Sequence, residues 1–221
     1  MRRDRFVTLT SDAEIRIEVK KSVFIAEAGP IRSANEAQRR IDSVRRRYPD
    51  ATHHVYAWRI SRDEILQKYS DDKEPSGTAG MPVLDILRRN GIEDAIIIVT
   101  RYFGGVRLGT GGLARAYSKA AGEAVKEAKP CLFAPAIEFE IPVDFTALDR
   151  LRHVLEKEGF TVGSVLYGDT PVLKLSCPEE EVIRMIRLCL DNSSGRAEPV
   201  RIGETEIILE KVGDLTIDGS N

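Results

Sequence analysis

The side chains best suited to chemistry sit in two stretches. The first runs Arg101-Tyr102-Phe103-Gly104-Gly105-Val106-Arg107-Leu108-Gly109-Thr110-Gly111-Gly112-Leu113, with Arg115 two residues beyond it. Glycines let backbone N–H groups approach an oxyanion, a following helix adds partial positive charge at its N-terminus, and guanidinium groups donate bidentately to phosphate. Arg101, Arg107 and Arg115 are therefore expected to contact phosphate, with backbone donors from Gly104, Gly105, Gly109, Gly111 and Gly112 completing a cradle. The loop is not a Walker A motif, since no Gly-Lys-Ser/Thr closes it, and it lacks the spacing of a dinucleotide-binding fingerprint. The bland alternative is that the glycines serve only tight turns and helix–sheet packing.

The second stretch is Ser70-Asp71-Asp72-Lys73-Glu74-Pro75-Ser76-Gly77-Thr78-Ala79-Gly80. Asp71, Asp72 and Glu74 are hard oxygen ligands that could hold Mg²⁺ with help from a phosphate. The competing reading is a solvated acidic turn in which Ser76 or Thr78 caps the next helix, and Lys73 in its midst favours that one. No resident metal or cofactor is expected. His53 and His54 are adjacent, so on a strand they point to opposite faces and do not chelate one ion together. His53, Ser76 and Thr78 are expected to line a cleft with the acidic turn, but Ser76 is not set in a nucleophile elbow, which argues against a hydrolase triad. His153 reads as a surface or packing residue. The run Arg39-Arg40 and Arg45-Arg46-Arg47 could lie along a phosphate backbone or simply form a solvated helix face. Apart from Tyr48 and Trp58 it has no aromatic neighbours, hence no clear platform for stacking bases.

These residues need elements to hold them. Alternation over Glu14 to Lys20 and the run Ser22 to Ala26 predict two strands. Ser33 to Glu36 is a capping-box pattern opening a helix with Ala37, Ile41, Val44 and Tyr48 on one face. His54 to Ile60 predicts a strand, and Glu64 to Tyr69 a weaker one. Pro82 to Asn90 reads as a helix closed by Gly91, and Ala95 to Thr100 as a strand buried on both faces. Leu113, Ala116, Tyr117, Ala120, Ala124 and Ala128 recur at helical spacing until Pro130, which ends the first domain. From Ala136 the pattern restarts: a strand at Ile137 to Val143, a helix at Phe145 to Glu158, strands at Phe160 to Tyr167 and Val172 to Ser176, a helix opened by Pro178, and a strand at Val200 to Glu210. That order is βαββαβ, the ferredoxin-like arrangement. Gly213 to Asn221 reads as a frayed tail.

The whole-chain arithmetic agrees with a two-domain, core-forming protein. The chain has 221 residues, 42% of them hydrophobic and 31% charged, which excludes disordered, collagen-like and disulfide-scaffold classes. No apolar run approaches the roughly 20 residues that span a bilayer, and Met1 to Arg5 is basic without a following apolar segment, so a cytoplasmic, membrane-free location is expected. Cys131, Cys177 and Cys189 match neither a disulfide framework nor a metal knuckle and read as reduced thiols. The first 130 residues carry 24 Lys and Arg against 18 Asp and Glu, the remainder 9 against 17. A basic part joined to an acidic part suggests modules with different partners.

Taken together, the two stretches resemble the IMPACT family in its YigZ-like bacterial branch. The resemblance rests on Lys20-Lys21-Ser22 with Phe24-Ile25-Ala26, on His53-His54 before Tyr56-Ala57, on Ser70-Asp71-Asp72 with Glu74 to Gly80, and on Arg101 to Gly105, Leu108-Gly109, Gly111-Gly112-Leu113 and Arg115-Ala116-Tyr117. It implies an N-terminal α/β domain over 1–132 with a small-subunit ribosomal-protein-domain-like fold of the RNase PH and GHMP kinase type, shared with domain four of elongation factor G. It implies a C-terminal α+β, ferredoxin-like domain over 133–221 resembling domain five of that factor. Contact with RNA or the ribosome follows as the expected partnership. The family usually has Gly where this chain has Lys73. Eukaryotic members carry an additional N-terminal domain that engages activators of a translation-controlling kinase. Here the family region begins almost at Met1, so that role is not expected to transfer.

The expectation is thus a binding protein associated with RNA or the ribosome that regulates translation without covalent chemistry. Two alternatives stay open: a phosphate- or nucleotide-dependent enzyme using the glycine loop and acidic turn, and a regulator that binds proteins through its acidic second domain.

Overall fold

A computed structural model describes residues 5–61 and 65–211. The basic residues 1–4, the predicted strand start at Glu64 and the predicted tail from Gly213 lie outside the described residues. The chain forms a mixed α/β structure with two sheets, and it divides into two compact units, one over Phe6–Leu132 and the other over Phe133–Leu209.

The first unit is built on β2 (Ala13–Val19), β3 (Ser22–Pro30), β4 (His53–Ser61), β5 (Ile65–Ser70) and β6 (Ala95–Tyr102), in the order β2-β3-β6-β4-β5 with every neighbouring pair antiparallel. β1 (Phe6–Leu9) precedes them. β6 is central, and its β-branched run is buried on both faces as the sequence predicts. Strand alternation splits it: Ile97 and Val99 join Phe24, Ala26, Val55 and Ala57 beneath α2 (Gly80–Arg89) and α3 (Thr110–Glu127). Ile96 and Ile98 join Tyr56, Trp58 and Ile60 beneath α1 (Ala34–Arg47). α3 presents Ala116, Ala120, Ala121 and Ala124 to the sheet, and small side chains let its backbone come close.

The helix ends follow local chemistry. Ser33 Oγ accepts from the Glu36 amide at 3.2 Å, and the Glu36 carboxylate accepts from the Arg32 amide at 2.8 Å, one residue upstream of the usual box. α2 closes on Gly91 at φ 61°, where Gly91 N–H donates to Arg88 O and Ile92 N–H to Leu87 O, a Schellman pattern. α2 begins at Gly80, two residues before the predicted Pro82, because its cap is neither Ser76 nor Thr78. Asp71 does that work from the preceding turn: its carboxylate accepts from the amides of Gly77, Ala79 and Gly80 at 2.9, 3.1 and 2.8 Å.

The second unit holds α4 (Phe145–Lys157), β8 (Thr161–Leu166), β9 (Val172–Cys177), α5 (Val182–Asn192) and β10 (Val200–Lys211), together with most of β7 (Pro130–Pro142). The element order is βαββαβ, with β7-β9-β8 in sequence across the sheet and β10 an additional partner of β7. β7 starts earlier than the sequence predicts. Pro130 reads as the stop of the first domain, yet it opens β7 and Pro135 lies within it, since a proline is tolerated in a strand where no ladder donor is needed. A single 3-10 turn, Glu179–Glu181, separates Pro178 from α5. Ile137, Phe139 and Ile141 pack on Leu148, Leu151 and Leu155 of α4 and on Met185 and Cys189 of α5.

Candidate nucleic-acid interface

Register on β6 decides where the motif residues go. Arg101 lies opposite Phe24 on β3 and opposite His53 on β4, all on the α2/α3 side of the sheet, whereas His54 pairs with Thr100 and faces the α1 side. Arg101 is only 4% exposed and Glu74 only 8%. The guanidinium donates from Nη1 to Glu74 Oε1 and from Nη2 to Ser22 Oγ at 3.3 Å, and it sits between the rings of Phe24 and Phe103, 5.4 and 5.6 Å from their centroids. Tyr117 donates its hydroxyl to the same Glu74 oxygen at 2.8 Å, and burial, reinforced by that carboxylate, pushes the phenol far above its ordinary range. His53 Nδ1 lies 2.8 Å from the Asp72 carbonyl, which can only accept, so Nδ1 carries the proton and Nε2 faces Glu74 Oε1 at 3.7 Å.

The phosphate contact expected of Arg101 is therefore corrected. Its charge is buried and matched by Glu74, and the pair pins the acidic turn to β6 and α3. The carboxylates do not converge on a cation either. Asp71 caps α2, Asp72 Oδ2 accepts from the His54 amide at 2.7 Å, and Glu74 holds Arg101. Among the described residues no group of three His, Cys, Asp or Glu side chains is placed to hold a metal. The expected cleft lining also separates: His53 belongs to the buried network, the Thr78 hydroxyl is turned back onto Pro75 O at 2.6 Å, and Ser76 is exposed on the turn. Asp72 and Lys73 both take positive φ, 42° and 72°, the left-handed region that favours glycine over a residue with a Cβ.

The glycine loop divides by role. Gly104 is a point of close approach: a Cβ there would lie 2.0 Å from the Lys21 carbonyl, and its amide donates to Ser22 Oγ at 3.2 Å, so it is not a free donor for the cradle. Gly105 and Gly109 take φ of 81° and 72°. Gly109 precedes α3 without a capping side chain, so the first-turn amides of Thr110, Gly111 and Gly112 lack intrahelical acceptors, as in any helix start. Arg115 folds back over this turn, its Nη1 3.5 Å from where a Cβ on Gly111 would stand. Arg107 and Arg115 are exposed, and beside them stand Phe103, 47% exposed, and Val106, 42% exposed.

Sequence reasoning missed two cations. Val19 pairs with Ser22, leaving Lys20-Lys21 as a two-residue hairpin turn with both φ positive, 47° and 66°, the type I′ geometry. Gly104 packs on this turn, so exposed Lys20 and Lys21 join the loop's arginines. The alternation carries the first predicted strand on to Lys20 and leaves only Lys21 before Ser22, so the two-residue turn is masked, and neither turn residue is Asn or Gly.

The α1 arginines are largely paired. Arg40 bonds Asp12, Arg45 reaches Asp72, and Arg47 bridges Glu14 and Glu27 at 3.1 and 2.8 Å, on the sheet face opposite Arg101. Burial outweighs Arg47 at Glu27 and raises that carboxyl above its usual range. His153 is exposed on α4.

A family model described as the Impact N-terminal domain matches residues 20–125, the span that contains every residue of this interface. The chain is similar to IMPACT family member YigZ of Escherichia coli (strain K12), 31% identical over 192 residues, covering 85% of this chain and 93% of that protein. It is similar to IMPACT family member YvyE of Bacillus subtilis (strain 168), 29% identical over 210 residues, covering 95% and 96%. Among solved structures, one described as the crystal structure of a hypothetical protein is 28% identical, covers 90% of this chain and 98% of its own, and superposes with a TM-score of 0.58.

Proposed function

The chain belongs to the IMPACT family, and from that premise we propose that it is a binding protein for RNA or the ribosome that regulates translation without covalent chemistry. The observation that carries the proposal is the rim of the first unit at the Gly104 contact. Lys20 and Lys21 are exposed on the turn that meets Gly104, and Arg107 and Arg115 are exposed on the same glycine loop and the start of α3, whose first-turn amides have no side-chain cap. Clustered cations and oriented amides favour a polyanion whose phosphates repeat, and they do so without selecting a base.

The layout of each unit supports the same reading. The βαββαβ order of the second unit supports reading it as a ferredoxin-like domain resembling domain five of elongation factor G, and the division of the chain near residue 132 supports reading the first unit as a separate, ribosomal-protein-like domain. Function on the ribosome carries with it a cytoplasmic location. Among the described residues no helix is long and apolar enough to cross a membrane. The enzyme alternative loses its proposed cation ligands, since Asp71, Asp72 and Glu74 are each committed elsewhere.

The test is co-sedimentation with ribosomes and isolated subunits across a salt series, comparing the wild type with Arg107→Ala/Arg115→Ala. Both side chains are exposed, so the variant keeps its fold, and the slope of log affinity against log salt falls by about one to two units. No sedimentation of the wild type at low salt would refute the proposal, and an unchanged slope would remove these arginines from the interface.

A further inference from the structure

The loop that carries exposed Arg107, and whose Gly104 packs on the exposed Lys20-Lys21 turn, also carries a half-exposed aromatic ring. Phe103 follows β6, and its amide donates to Thr52 Oγ1 at 3.0 Å, which fixes the backbone from which the ring projects. One face of the ring is occupied: the Arg101 guanidinium lies 5.6 Å from its centroid, itself held by Glu74 and Ser22. The 47% exposure of Phe103 therefore belongs to the other face and the edge. Phe103 is one of several large apolar side chains left exposed, and what sets it apart is its position directly before Gly104, which packs on the exposed Lys20-Lys21 turn.

We infer that Phe103 is a stacking platform for an unpaired base, so that the site takes single-stranded RNA in preference to duplex. The inference rests on the RNA-binding reading above. The charge of the surround selects the occupant: Lys20, Lys21, Arg107 and Arg115 favour a polyanionic strand and disfavour a basic or neutral peptide on the same ring. A base is the apolar, planar part of such a strand, and stacking on an aromatic ring tolerates any base because each has a π-face. A duplex offers phosphates to the cations but keeps its bases stacked inside, leaving Phe103 without a partner. The guanidinium behind the ring keeps it in place, so little rotamer freedom is lost when a base arrives.

The test measures anisotropy of a labelled single-stranded oligoadenylate and of a blunt RNA duplex of equal length against the full chain. Wild type binds the single strand more tightly. Phe103→Ala weakens single-strand binding about tenfold and leaves duplex binding and the salt slope unchanged. Phe103→Trp retains the affinity, and Phe103→Leu, which keeps apolar bulk but has no π-face, loses it as Ala does. Thermal scans confirm folding, and the Trp and Leu variants decide the matter should Ala not fold. Single-strand affinity equal to wild type in the Ala or the Leu variant overturns the platform while leaving a phosphate-binding rim intact. Wild type that binds neither RNA at low salt overturns the RNA reading itself, and the platform with it.

Discussion

Replacing Glu74 with Gln and Arg101 with Met, singly and together, asks whether the most charged part of the motif is scaffold or interface. Both residues are almost fully buried, and Glu74 Oε1 accepts from both Arg101 and Tyr117. Removing one partner of such a pair strands the other charge, at about 3–5 kcal/mol. Gln at 74 can still accept from Tyr117, so Glu74→Gln isolates the loss of charge and strands Arg101, while Arg101→Met keeps a long apolar stem between Phe24 and Phe103 and strands Glu74. If the two costs simply added, the double variant would lose about 6–10 kcal/mol, as much as a typical domain possesses. The double variant leaves no orphan charge, so it is expected to cost no more than either single one, a coupling of about 3 kcal/mol or more. Urea unfolding read from Trp58 measures this. Trp58 is the sole tryptophan of the chain and is buried on β4 in the same unit. Costs below about 1 kcal/mol for both single variants, or additivity within about 0.5 kcal/mol, would refute the buried-pair account.

Two further outcomes follow from local structure. Lys73 sits at φ 72°, where a Cβ is strained, so Lys73→Gly is expected to raise stability by about 1 kcal/mol, read as a higher urea midpoint with unchanged slope; a lower midpoint refutes it. Burial pushes the Cys177 and Cys189 thiols up to about 11 and about 12 from an ordinary 9. Between pH 9 and 11 the unfolded chain therefore releases protons that the folded unit keeps, and stability falls as pH rises. Circular dichroism of urea unfolding across that window is expected to show a steeper decline for wild type than for Cys177→Ala/Cys189→Ala, and parallel declines would refute it.

Much of the scaffold is legible in the sequence because it is written in short-range patterns. The capping box of α1, the Gly91 stop of α2 and the β-branched run of β6 each need only neighbours within a turn or a pleat. The roles of the chemical residues are less legible because they are set by partners far along the chain. Alternation from Ile97 and Val99 points Arg101 inward once β6 is known to reach Tyr102, but only Glu74, 27 residues earlier, makes an inward arginine tolerable. Asp71 likewise caps α2 across nine residues, a reach that no N-cap pattern encodes. The Lys20-Lys21 turn went unread because its type I′ geometry is imposed by the strands on either side and owes nothing to the turn residues' own preference.

The division of labour between the arginines has a physical origin that a charge count does not contain. Arg101 must satisfy two acceptors at once, Glu74 and Ser22, while its Cζ lies over two aromatic rings, and a planar guanidinium with separate Nη donors fits that demand where an ammonium does not. Arg107 and Arg115 have no such constraint and remain in solvent, where a guanidinium meets a phosphate at little desolvation cost. Loss of Arg101 would therefore weaken ligand binding without any ligand ever touching it, by unseating Phe103 and releasing the turn that fixes Gly104 against Lys21. A binding defect in an Arg101 variant is evidence about the interface only when the salt slope changes with it, because a lost phosphate contact alters the number of counterions released and a loosened scaffold does not.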